Sequence, residues 1–234
     1  MNIPEGYLNG EIRDGFYVES TMKKAWAAEI EVLNEVDRIC RQYDIQYFAD
    51  WGTLLGTIRH KGFVPWDDDM DITMKREDYT RFCQIVQQEQ GNLEIINFHT
   101  DPEWKDMLSR VINGRNVNYT QEHLKKYHGF PYVAGLDIFP LDYVAPTEDE
   151  DEIHCSMISI VEAFSANIRN NTATPEEIEQ TTKDIEQMCG VKFNNLEALA
   201  TQLLKLGERL SMMYTEKESH LSLIHISEPT RRRG

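Results

Sequence analysis

The chain has 234 residues, is 41% hydrophobic and carries a formal net charge of -16 at pH 7. That is enough for one large domain or two small ones with a buried core. The charge argues against non-specific attraction to nucleic acid or anionic membrane, so an anionic ligand would need a local cation to reverse the sign.

The four cysteines, Cys40, Cys83, Cys155 and Cys189, are widely spaced and form no C-x-x-C pair. They read as reduced packing residues, which suits a cytosolic protein. The first residues, "MNIPEGYLNGEIRDG", are polar and lack a signal-peptide core, and no run reaches membrane-spanning length. The expectation is a protein in the cytoplasm or peripheral at the inner face of the membrane, with no integral membrane segment and no nucleic-acid partner.

Residues 1–19 form an N-terminal segment without an assigned element. In 20–44, Trp26, Ile30, Leu33, Val36 and Cys40 recur at three- and four-residue steps, predicting an amphipathic helix with Ser20 as N-cap. Ile45 to Ala49 reads as a strand, Trp51-Gly52 as a turn and Thr53 to His60 as a helix. Gly62 suits the residue past that helix, where positive φ is cheap. A strand is expected from Asp69 to Met74 and a helix over 75–88. Strands follow over 92–98 and 107–112, with 116–120 as a further candidate. The segment 134–144 opens with a buried strand that ends at Pro140. Strands alternating with helices predict an α/β or mixed α+β layer.

Beyond Pro146 the pattern is helical in three stretches, with starts at Thr147 and at Thr174-Pro175. The acidic run Glu148 to Glu152 is explained as a helix first turn. The organisation is therefore a core over 20–145, a helical region over 146–220 and a basic tail over 221–234. "SLIHISEPTR" in that tail resembles translated sequencing-adapter DNA. It is read as non-native, with the native chain cut near His220.

The chemistry concentrates in "FVPWDDDMDITM", which packs Asp67, Asp68, Asp69 and Asp71 into five positions. On a regular strand Asp67, Asp69 and Asp71 share one face at roughly 6–7 Å spacing, and Met70, Ile72 and Met74 share the other. Such carboxylates repel unless a cation neutralises them, and Mg²⁺ or Mn²⁺ takes oxygen ligands together with phosphates. Asp68 is expected to face away. The plainer alternative is a solvated acidic turn after Pro65.

Upstream, Gly52 and Thr53 open a helix whose N–H groups suit a phosphate. Arg59, His60 and Lys61 follow as potential cations. The plainer alternatives are an ordinary helix cap, favourable charge at a helix C-terminus and a packing histidine. Downstream, Asp137 lies between Leu136 and Ile138 in an apolar strand, where a lone carboxylate needs a partner or a metal. Asp142 reads as structural.

A glycine turn, a D-x-D strand and a separate strand with a third Asp form the layout of the nucleotidyltransferase fold. More closely, "WGTLLGTIRHKGFVPWDDDMDITMKREDY" with "GLDIFPLD" resembles the LicD family of phosphocholine transferases. The fukutin-type ribitol-phosphate transferases are more distant relatives. Residues 51–79 and 135–142 carry the resemblance. Trp51 departs from it, since the family usually has glycine there. A C-terminal Tyr-Gly-Asp motif is also missing, in keeping with a truncated chain.

The resemblance implies an α+β fold with a nucleotidyltransferase-like mixed sheet, flanking helices and a helical C-terminal part. It implies metal-dependent transfer of phosphocholine from a CDP-alcohol donor to a hydroxyl of a glycan acceptor in the cell envelope, releasing CMP. Asp67, Asp69 and Asp71 would hold the metal. Asp69, Asp71 and Asp137 would act in catalysis, and Gly52, Thr53 and Arg59 would bind donor phosphate. A CDP-ribitol-type transferase and an inactive nucleotide- or metal-binding homologue are the alternatives. "DMDIT" also fits the D-x-D-x-T motif of haloacid-dehalogenase phosphatases, but Trp66, Asp67 and Asp68 stand where that motif wants a buried apolar strand.

Overall fold

The computed structural model describes residues 1–89, 91, 93–194, 198–219 and 222–223. The chain divides into two compact units. One comprises 1–96 and 108–140, the other 97–107 and 141–234. The basic tail lies outside the described residues, apart from the backbone of Ser222–Leu223.

The first unit opens with a hairpin, β1 (Glu11–Arg13) and β2 (Phe16–Val18). Its turn residues Asp14 and Gly15 have φ of 49° and 79°. Two consecutive left-handed residues make the turn that matches strand twist, and Asp-Gly favours it. Next comes α1 (Ser20–Tyr43), then β3 (Phe48–Ala49), α2 (Trp51–Arg59), β4 (Asp71–Lys75) and α3 (Arg76–Gln88). They are followed by β5 (Glu94–Ile96), β6 (Ser109–Ile112), α4 (Gln121–Lys126) and β7 (Gly135–Tyr143).

The sheet order is β3-β4-β7-β6-β5. The pairs β3–β4, β5–β6 and β6–β7 are antiparallel. The stripe of α1, including Val32, Val36, Ile39 and Cys40, packs with Met70, Ile72 and Met74 of the acidic strand. Phe82 and Val86 of α3 and Leu136 and Ile138 of β7 complete that core. Burying each such side chain contributes about 1.5–3 kcal/mol, which fixes the strand carrying the aspartates against the helix.

Several local expectations are corrected. Glu19, not Ser20, is the N-cap of α1, and the Ser20 hydroxyl donates to the Leu8 carbonyl at 2.7 Å. After α2 it is Lys61, with φ of 56°, that takes the left-handed conformation rather than Gly62. The strand before α2 shortens to Phe48–Ala49, because only these residues pair with β4. Residues 116–120 are not a strand. Asn118 Oδ1 accepts from Thr120 N at 2.9 Å, and Thr120 caps α4.

β7 runs through Pro140. Its pairing with β6 ends at Ile138 and its pairing with β8 (Ser222–Leu223) starts at Asp142. Proline, which has no N–H to give to a ladder, sits at the changeover.

The second unit contains the end of β7, then α5 (Glu148–Arg169), α6 (Pro175–Cys189) and α7 (Leu199–Ser211), with β8 after them. Ile158, Val161, Phe164, Ile185, Leu199, Leu203, Leu206 and Leu210 form its core. Thr147 caps α5, whose first turn carries four acids. Thr174 and Glu177 form a capping box at α6, with Pro175 at the first helical position. Asp142 is buried, as its structural reading expects. All four cysteines are free. Among the described residues no helix is long and apolar enough to cross a membrane.

Candidate active site

The acidic segment is clamped by its backbone. Asp67 N donates to Val64 O at 3.0 Å, and Asp67 O accepts from the Trp26 indole at 2.9 Å. Trp26 itself stacks on Phe63, with centroids 4.8 Å apart and planes within 4°. On the other side Asp71 N donates to the Thr53 hydroxyl at 2.8 Å, Asp50 N donates to Asp71 O at 3.2 Å and Asp137 N donates to Met70 O at 2.9 Å.

Regular strand begins only at Asp71, so the expected alternation does not extend to 67–70. Carboxylate oxygens of Asp67, Asp68 and Asp69 lie within 4.8 Å of one another. Asp68 therefore joins the cluster instead of turning away, which corrects the sequence expectation. Asp71 stands next along the chain, at the head of β4.

The turn before α2 is shaped around this segment. Trp51 has φ of 48°, a left-handed conformation that favours glycine. The Asp50 carboxylate accepts from Trp51 N at 2.8 Å, and the Trp51 ring packs against Phe139 at 5.7 Å. A Cβ on Gly52 would collide with the Asp67 carboxylate, so glycine is required for that approach. The Gly52 face thus meets a carboxylate, and the Thr53 hydroxyl holds β4.

Arg59 is exposed in the last turn of α2, about 12 Å of helix rise beyond Trp51. It lines neither of the two cavities beside the aspartates. His60 bonds Asp14 through Nδ1 at 2.6 Å, and the Lys61 ammonium donates to Ile58 O at 3.2 Å.

Asp137 finds the partner its apolar strand demands. Arg110 lies directly opposite it in the β6–β7 register and donates to both carboxylate oxygens, each at 2.6 Å. Bidentate pairing of this kind is strong and geometrically specific.

Glu29, on α1, completes the site. It is only 7% exposed, and its Oε2 is buried without a hydrogen-bond partner. Burial, then the charges of Asp69, Asp68 and Asp67, push its pKa up to about 9. Asp71 is raised to about 7, by burial first and then by Asp69, Asp137, Asp67 and Asp50. Asp69 is raised to about 6 by burial, by a hydrogen bond with Asp67 and by the surrounding carboxylates. A cavity of about 320 Å³ is lined by Glu29, Asp68, Asp69, Arg110 and Asp137, among others.

Two members of this site were not anticipated from sequence. Glu29 had a signal, since it lies three residues after Trp26 and three before Val32, inside the buried stripe of α1. Arg110 had none, because its place opposite Asp137 depends on strand register.

A mixed sheet with a glycine turn facing an acidic segment at the head of a strand defines a nucleotidyltransferase-type domain. Residues 44–200 match the family LicD/FKTN/FKRP, nucleotidyltransferase domain, and the chain belongs to that family. A 69-residue stretch is 42% identical to the lipopolysaccharide cholinephosphotransferase LicD of Haemophilus influenzae, covering 30% of this chain and 26% of that protein. Stretches of 58 residues are 38% and 36% identical to uncharacterised proteins of Rickettsia typhi and Rickettsia prowazekii. Each covers 25% of this chain, with 19% and 22% of those proteins. The matches thus span about a quarter or less of the curated relatives. No solved structure matches the chain.

Proposed function

We propose that this protein transfers phosphocholine from a CDP-activated donor to a hydroxyl of a cell-envelope glycan, releasing CMP. The observation that carries this reading is the aspartate cluster of 67–71, in which Asp69 and Asp71 are held well above the ordinary carboxylate range. Family membership and the cholinephosphotransferase name of the Haemophilus relative support the choice of reaction.

The donor set fits a hard divalent cation. It consists of clustered carboxylate oxygens of Asp67, Asp68 and Asp69, whose mutual repulsion a cation would relieve. Asp67, Asp69 and Asp71 would hold Mg²⁺ or Mn²⁺, with Asp68 in reach. The ion would neutralise phosphate charge and act as a Lewis acid.

The chain's own residues position the reactants. Thr53 and Asp50 fix the backbone of Asp71, and Gly52 lets Asp67 approach the turn. Arg110 orients Asp137, whose carboxylate accepts the proton of the acceptor hydroxyl. The hydroxyl oxygen then bonds phosphorus while the bond from phosphorus to the CMP oxygen breaks. Such chemistry depends mainly on positioning and charge neutralisation.

The test supplies the full chain with Mg²⁺, an acceptor glycan and either CDP-choline or CDP-ribitol. The expected result is CMP release from CDP-choline that Asp71→Asn abolishes. Full activity in that variant would overturn the site assignment. Preference for CDP-ribitol would move the substrate to a polyol, and nucleotide binding without turnover would favour a binding role.

A further inference from the structure

A second cavity, of about 480 Å³, lies beside the acidic one and shares Glu29, Asp68 and Val133 with it. Its walls combine the rings of Phe16, Tyr17 and Phe130 with the carboxyl groups of Glu19, Glu29 and Asp68. Among the described residues no lysine, arginine or histidine lines it. We propose that this cavity receives a quaternary ammonium head group, with Tyr17 and Phe130 as its specificity-determining residues. This rests on the phosphocholine-transfer reading and adds to it the residues that choose the alcohol.

Three features of the cavity converge. Aromatic faces attract cations, and more so when water is excluded. A quaternary ammonium has no N–H to satisfy, so rings and nearby carboxylates complete its surroundings. A polyol would instead set part of its hydroxyl groups against Phe16, Val18, Met22 and Phe130, whose side chains offer no hydrogen bond. The exposed Asp68 carboxylate supplies negative potential where the two cavities meet. A ligand with its phosphate at the aspartates thus directs its cationic end toward the rings.

The ring-bearing hairpin is pre-anchored. Buried Lys23 pairs with Glu11 at 2.6 Å and sits over the Tyr7 ring at 4.0 Å. At the turn His60 holds Asp14, and Phe16 meets Trp66 edge-on at 6.1 Å. The hairpin precedes the residues matched to the family, 44–200.

The experiment uses the full chain and the variants Tyr17→Leu and Phe130→Leu, which keep apolar bulk but remove the ring. Tyr17 is 60% exposed, so its replacement leaves the core intact. Binding of phosphocholine, phosphoethanolamine and ribitol phosphate is measured by calorimetry with Mg²⁺ present, alongside kcat and KM for CDP-choline.

The expected outcome is phosphocholine as the tightest ligand. Each Leu variant should bind it about tenfold more weakly, the scale of losing one aromatic face. KM should rise to match while kcat stays nearly constant, and Tyr17→Phe should restore binding. Equal binding of phosphoethanolamine, or unchanged KM in both Leu variants while CMP is still released, would overturn the inference and leave the transferase reading intact. Ring-dependent phosphocholine binding with no CMP release would uphold the subsite and overturn the transferase reading.

Discussion

A divalent cation should stabilise this protein strongly at alkaline pH and little in acid. The magnitude follows from Asp71, raised from 3.8 to about 7 chiefly by burial. A group whose folded pKa is raised contributes its full stability below the unfolded value, and that stability is lost as pH rises through the folded value. The metal-free chain should therefore weaken between about pH 4 and 7. At 1.36 kcal/mol per pH unit the Asp71 rise corresponds to roughly 4 kcal/mol. Solvent access to a partly buried carboxylate reduces this to about 1–2 kcal/mol. A cation that replaces the proton restores the loss, so saturating Mg²⁺ should raise Tm by about 2–8 °C at pH 8. At pH 5, where Asp71 is protonated, the rise should be a small fraction of that. Asp71→Asn should raise the metal-free Tm at pH 8 and abolish most of the Mg²⁺ response. Thermal melts at matched ionic strength read both quantities. An equal Mg²⁺ shift at the two pH values, or a variant less stable than the parent at pH 8, would refute the reasoning.

Two further predictions probe the surroundings. Gly52→Ala pushes a methyl group into the Asp67 carboxylate. CMP release should fall by about 100-fold, the scale of a displacement near 1 Å at a reacting centre, with stability little changed because the methyl meets only the end of a half-buried side chain. Thr174→Ala removes the capping box of α6. It should lower stability by about 1 kcal/mol, or roughly 2–4 °C in Tm, with CMP release unchanged.

Features whose cause is local were legible in the sequence. The α1 stripe is set by helical period, and the helix starts at Thr147 and Thr174 follow from capping chemistry. Asp-Gly at 14–15 carried an equally local hairpin signal that the polar composition of the N-terminus concealed. The acidic segment was legible as chemistry but not as geometry. Alternation assumed a strand through Asp69, whereas the strand starts at Asp71 and Asp68 swings into the cluster. Asp137 was seen to need a partner, but Arg110 is 27 residues away in sequence and becomes that partner only through β6–β7 register. Glu29 lay in view within a buried stripe, and counting its carboxylate as an anomaly would have found it.

The aromatic residues near the aspartates also have an optical consequence. Of the four tryptophans, Trp26 donates its indole hydrogen to the Asp67 carbonyl, Trp66 precedes Asp67 in the chain and Trp51 adjoins the glycine that faces Asp67. Trp104 belongs to the other unit. Three indoles thus surround the charged segment with different degrees of exposure, from the fully buried Trp26 to Trp66 at 60%. Intrinsic fluorescence is therefore a built-in reporter of what happens at these carboxylates. A cation or nucleotide titration can be followed on the unlabelled protein, and replacing Trp51 or Trp66 one at a time would show which side of the cluster the ligand enters.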